Sequence, residues 1–145
     1  KPIYMLSKKP FYFYQVDHNR NNINTAIKIG KILPKDSVIA CIWGGTIPYY
    51  NPQLYSVDLL GKSDKYIASL KDRRGVSWGN MITVPGHNKY DLKWSLNTYK
   101  PDWIQYGKHG KDDLAKDNNF LKAYEYCPSV DGYLKKIYKC PKVGE

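Results

Sequence analysis

The stretch Val38–Asp64, VIACIWGGTIPYYNPQLYSVDLLGKSD, decides the fold. It opens with an unbroken apolar run, Val38 to Trp43, the pattern of a strand buried on both faces. Gly44 and Gly45 break the run, and residues without a Cβ let a backbone turn sharply or let another group come close. After Pro48 and the Tyr49–Tyr50 pair, Leu54 to Leu60 predicts a second strand carrying Asp58 near its carboxyl end. Gly61 closes it, and Ser63 or Asp64 is placed to cap a helix through Leu70, with Tyr66, Ile67 and Leu70 inward. A strand, a glycine turn, a strand with a terminal acid and a helix start is how an α/β domain gathers polar groups at one edge of its sheet.

Upstream, Asn21 or Asn22 is expected to cap a helix with Ile23, Ala26, Ile27 and Gly30 on one stripe. Leu33–Pro34 ends it, because the residue before proline is pushed out of helical geometry. Residues 1–20 are basic and aromatic; Phe11 to Val16 reads as an edge strand, or the stretch as a connector emerging from a neighbouring element.

Downstream, residues 71–79 predict an exposed polar loop and Met81 to Val84 a brief strand. Pro85 to Lys89 is a polar turn, and Asp91 can cap a helix through Leu92, Ser95, Leu96 and Tyr99. Pro101 stops that helix before a strand at Trp103–Tyr106. A loop with His109 leads to a polar helix from Asp112 to about Ala123, and Tyr124 to Cys140 predicts two antiparallel strands. The fold class is therefore α/β, a mixed and mainly parallel central sheet with flanking helices and a C-terminal antiparallel hairpin, in one domain over residues 1–145.

Lysine and arginine number 23 against 13 acids, a net charge of +10 that favours anionic partners, including an anionic membrane surface. Arginine occurs only at 20, 73 and 74, and base or phosphate recognition leans on arginine forks, so nucleic acid is disfavoured. No run reaches the roughly 18 apolar residues that a membrane span needs. The chain begins at Lys1 without a signal-peptide pattern, which suggests a piece of a longer protein. Cys41 sits in the apolar run as a small hydrophobe, while Cys127 and Cys140 flank the expected hairpin. They can form a disulfide worth about 3 kcal/mol or remain two thiols.

Asp58, Asp64, His87, Lys89 and Asp91 all fall at strand ends or in adjoining loops, where two acids and a histidine can move protons. Each also has a structural use, as a cap or as a turn acceptor, and that use is favoured for each taken alone. No glycine-rich phosphate loop, nucleophile elbow or metal-binding helix is present, so no catalytic residue, metal or cofactor is assigned.

Two stretches, IWGGTIPYYNPQLYSVDLLGKSDKYIA and PGHNKYDLKWSLNTYKPDWI, resemble a spaced pattern in bacterial polytopic glycosyltransferases of the GT-C type. These include relatives of the protein mannosyltransferases and the arabinofuranosyltransferases, which use a polyprenyl-phosphate sugar donor. AIKIGKILPKDSVIA is similar to the helix–strand entry of the same region, so the resemblance covers about residues 23–106. Gly45, Pro48, Tyr49, Asp58, Gly61, Asp64, Gly86, His87, Lys89 and Asp91 fall on the pattern, while Ser63 stands where asparagine is expected.

The resemblance implies a C-terminal domain on the extracytoplasmic face of the membrane, packed on the membrane-embedded catalytic part of the same chain. The family's catalytic aspartate lies in that membrane part, which leaves this piece an accessory role toward a lipid-linked sugar or glycan acceptor. Gly45, Tyr49, Tyr50, Asp58, Asp64, His87 and Lys89 are the candidate acceptor-facing residues, and Trp43 is expected to be buried. The competing readings are a free-standing module for polyanions or nucleic acid, and a small hydrolase built on Asp58, Asp64 and His87.

Overall fold

The computed structural model describes residues 11–71, 89–105 and 111–142. The expected loop at 72–79, the strand at Met81–Val84, the turn with Gly86 and His87, and the loop with His109 lie outside the described residues.

Val38–Cys41 forms β1, flanked on one side by β2 (Tyr55–Asp58) and on the other by β3 (Trp103–Gln105), both parallel to it. The last strands, β4 (Tyr124–Cys127) and β5 (Gly132–Lys135), form the antiparallel hairpin, in the sheet order β2-β1-β3-β5-β4. The hairpin enters with β5 against β3, so β4 is one edge of the sheet and β2 the other.

Alternation along β1 separates the two faces. Ile39 and Cys41 pack with Ala26 and Ile29 of α1 (Phe11–Ile32), with Leu33 just after it, and with Ile47 of α2 (Thr46–Tyr50). Ala40 and Ile42 pack on the opposite cluster with Val57, Ile104, Phe120 and Tyr133. Leu92, Leu96 and Tyr99 of α4 (Leu92–Tyr99) close that second face. Each fully buried Ile or Leu contributes about 2 kcal/mol, so covering both faces is what fixes the register.

Several expectations are corrected. Phe11–Val16 is helical rather than an edge strand, because α1 continues ten residues ahead of the expected cap at Asn21. The inward stripe of α1 is Ala26 and Ile29, continued by Leu33 just past its end, and Ile27 is half exposed. The polar helix divides into α5 (Lys111–Lys116) and α6 (Asn118–Ala123), because Asp117 caps α6 by accepting from the N–H groups of Asn119 and Phe120. Of the residues expected inward on α3 (Lys65–Ser69) and just after it, Ile67 is buried, whereas Tyr66 is exposed.

α1 runs antiparallel to β1. His18 meets the Trp43 ring edge-on at 5.5 Å, and Asn22 accepts from Gln105, both beyond the carboxyl ends of the strands. Further along, Ala26 O accepts from Asn51 Nδ2 at 3.0 Å, and the helix ends before β1 begins.

Candidate functional site

Because β1 and β2 are parallel, the turns that follow them, Trp43–Gly45 and Asp58–Asp64, share the carboxyl edge of the sheet. The first described residues after the gap join them: Lys89 Nζ donates to Ala68 O at 2.6 Å, and Asp91 caps α4 by accepting from Trp94 N at 2.9 Å.

The acids of this rim are committed to the backbone. Asp58 accepts from Leu60 N and Lys62 N, each at 2.9 Å, one on each carboxylate oxygen. Asp64 Oδ1 accepts from Tyr66 N at 2.9 Å and Ile67 N at 3.0 Å, and its Oδ2 accepts from the Tyr99 hydroxyl at 2.8 Å. Burial alone would push the Asp64 carboxyl up, but hydrogen bonds from Ile67, Tyr99, Trp94 and Tyr66 together hold it below the usual 3.8. The Tyr99 hydroxyl is pushed up in turn, by that hydrogen bond first and by its burial second. A carboxylate held ionised by these donors is a structural anchor and a poor general acid at neutral pH.

The aromatics are disposed the other way. Trp43 is 44% exposed, a correction to its expected burial, because β1 ends at Cys41 and the chain has left the sheet by residue 43. Tyr66 and Trp94 stack with centroids 4.1 Å apart, and both keep a large exposed surface. Tyr49 is 80% exposed and meets Tyr50 edge-on at 5.4 Å; both lie at the end of α2, away from the Asp64 anchor. Gly45 precedes α2 with φ −93°, and a Cβ on it or on Gly44 would touch nothing within 4 Å. Neither glycine is demanded by the conformation of this domain. His87 lies outside the described residues.

Gln105 is a position at the sheet's carboxyl edge that pattern reading missed. In a parallel sheet, ligands enter where neighbouring strands connect in opposite directions, here between β1 and β3. Gln105 Oε1 accepts from Ile42 N at 2.9 Å and Trp43 N at 3.0 Å, and its Nε2 donates to Asn22. The side chain is buried and fills that crevice from within. Its only signal in sequence was one amide in an otherwise apolar strand.

Cys127 and Cys140 are joined in a disulfide with Cα atoms 5.6 Å apart, which pins the Pro128–Val130 turn. Cys41 is buried, and burial first, then the nearby Asp58 charge, pushes its thiol up to about 12 despite a hydrogen bond from Ser56. That thiol is unreactive in the folded state. Among the described residues no group of three His, Cys, Asp or Glu side chains is arranged to hold a metal ion, and no helix is long and apolar enough to cross a membrane.

No curated protein and no solved structure matches the chain. A family model described as "Domain of unknown function (DUF8728)" matches residues 13–138, from the first turn of α1 to just past β5. With that match spanning most of its length, the chain belongs to the DUF8728 family.

Proposed function

We propose that this chain is a non-catalytic extracytoplasmic domain of a membrane glycosyltransferase that uses a polyprenyl-phosphate sugar, and that its carboxyl rim faces the acceptor or the membrane-embedded catalytic part. The observation that carries this is the division of labour on the rim. Asp58 and Asp64 are spent on backbone donors, while Trp43, Tyr66 and Trp94 are left exposed beside them. Committed acids argue against hydrolysis, and exposed rigid aromatics suit contact with sugar rings or with another protein surface.

Two further features support the reading. A disulfide suits an oxidising compartment. A net charge of +10 suits a place beside anionic headgroups and a lipid phosphate.

The test is made on the parent protein. Its coding sequence ahead of Lys1 is expected to specify several apolar spans, and a parent without them overturns the proposal. In the full-length protein, Trp43→Ala and Tyr66→Ala are expected to slow sugar transfer with the melting temperature nearly unchanged. Unchanged transfer in both variants would remove the rim from the acceptor side.

A further inference from the structure

A second feature of the chain lies away from the rim, between α1 and the disulfide-pinned turn. It is a cleft of about 430 Å³, lined on the helix by Asn21, Asn24, Thr25, Lys28 and Lys31 and on the opposite wall by Ser129 and Asp131. This volume lies within the range of about 300–1,000 Å³ typical of small-molecule sites.

The lining is unlike the rim in one respect: four polar side chains on its helix wall are uncommitted. Asn21, Asn24, Lys28 and Lys31 recur every three or four residues, so they share one stripe of α1. Among the described residues, these four side chains have no hydrogen-bond or ion-pair partner. Across the cleft, the Ser129 hydroxyl has, among the described residues, only sulfur partners, Cys127 Sγ at 3.2 Å and Cys140 Sγ at 3.7 Å. Sulfur is a weak partner, which leaves that hydroxyl available to a ligand. The Asp131 carboxylate receives the Tyr126 hydroxyl at 3.2 Å and keeps acceptor capacity.

The opposite wall is also held in place. Cys127 belongs to β4 and Cys140 follows β5, so the bond between them closes the segment carrying Ser129 and Asp131, whose Pro128–Val130 turn packs on α1. A site built on a helix and a cross-linked turn loses little freedom when it binds.

We propose that this cleft binds a small anionic saccharide, a sugar carrying a phosphate or a carboxylate. The paired ammonium groups of Lys28 and Lys31 take the anion, and neither needs to leave an existing ion pair to do so. The carboxamides of Asn21 and Asn24 offer donors and acceptors together, as the hydroxyls of a sugar require. Asp131 accepts from a hydroxyl and disfavours a bare polyanion. The proposal is independent of the glycosyltransferase reading, which concerns the other surface.

The experiment is calorimetric titration of the full chain with glucose 1-phosphate, glucuronate, glucose and inorganic phosphate. Both acidic sugars are expected to bind at least about tenfold more tightly than glucose. Lys28→Ala/Lys31→Ala is expected to abolish that preference, and Asn24→Ala to weaken the acidic sugars without changing inorganic phosphate. Lys122→Ala, on α6 and outside the cleft lining, should leave all four titrations unchanged. A parallel arm uses vesicles carrying a polyprenyl-phosphate-linked glucose. Loss of vesicle binding in the double lysine variant identifies a lipid-linked headgroup as the source; loss only in the free-sugar arm identifies a soluble one. Glucose or inorganic phosphate binding as tightly as the acidic sugars, indifference to the lysine substitutions, or no heat with either acidic sugar overturns the proposal.

Discussion

The Tyr99 hydroxyl donates to Asp64 Oδ2 at 2.8 Å, so the carboxylate that caps α3 also holds the last turn of α4. One buried side chain thereby joins the turn after β2 to the helix that leads into β3.

Asp64→Ala is therefore expected to cost about 2 kcal/mol, the upper range for loss of a helix cap, because the Tyr99 hydroxyl loses its acceptor as well. The pH dependence follows from the lowered carboxyl. A group whose folded pKa lies below its unfolded value stabilises fully above the unfolded value, here about 3.8, and that contribution is lost as pH falls through the folded one. Asn caps helices well but carries no charge, so Asp64→Asn should flatten the acid limb of the stability curve below about pH 4 while costing less at neutrality. Urea unfolding across pH checks both variants; an acid limb of unchanged steepness in Asp64→Asn would count against the assignment.

The two glycine turns of the rim are expected to respond in opposite ways to alanine. Gly61 has φ +66°, and a Cβ there would run into the Ile67 side chain. Gly61→Ala should cost at least about 2 kcal/mol, from left-handed strain together with displacement of a buried isoleucine. At Gly44, a Cβ meets open space, so Gly44→Ala should stay within about 0.5 kcal/mol of the parent. If the rim packs on a membrane-embedded partner, Gly44→Ala should lower transfer in the full-length protein without lowering stability. Thermal melts paired with transfer assays separate these outcomes.

Gln105→Ala removes the acceptor of two donors, the buried N–H of Ile42 and the part-buried N–H of Trp43. An unsatisfied buried group costs about 1–3 kcal/mol, so a loss of about 3 kcal/mol is expected for the pair. Amide exchange should quicken at Ile42 and Trp43 before it does so at Ile39. Uniform protection across β1 would show that the carboxamide does not hold the end of the strand.

Reduction of the Cys127–Cys140 bond releases a cross-link between residues 13 apart, worth about 3 kcal/mol in the chain-entropy account. Melting with and without reductant measures it. Cys41, with its thiol pushed up to about 12, should alkylate only as the whole domain unfolds.

Much of the architecture was legible because it follows from local chemistry. The apolar run at Val38 announced a central strand, and Asp64 and Asp91 announced α3 and α4, since an acid before an apolar periodicity is a cap wherever it occurs. Three features were not legible. The residues from Phe11 to Val16 carry aromatic and β-branched character, and α1 nevertheless continues through them as helix. The exposure of Trp43 depended on where β1 ends, a matter of how far β3 extends beside it rather than of hydrophobicity. Gln105 and Asn51 act through partners more than twenty residues away, and such long-range hydrogen bonds leave no periodicity to read.

The antiparallel course of α1 sets the side from which polypeptide is delivered. Its middle turns, at His18 and Asn22, pass Trp43 and Gln105, so the turns before them reach beyond the carboxyl ends of the strands, on the flank that bears the Asp58–Asp64 turn. An upstream anchor would hold that flank toward itself and turn the amino ends of the strands outward. Orientation would then be imposed by the course of a 22-residue helix, with no need for a large permanent interface.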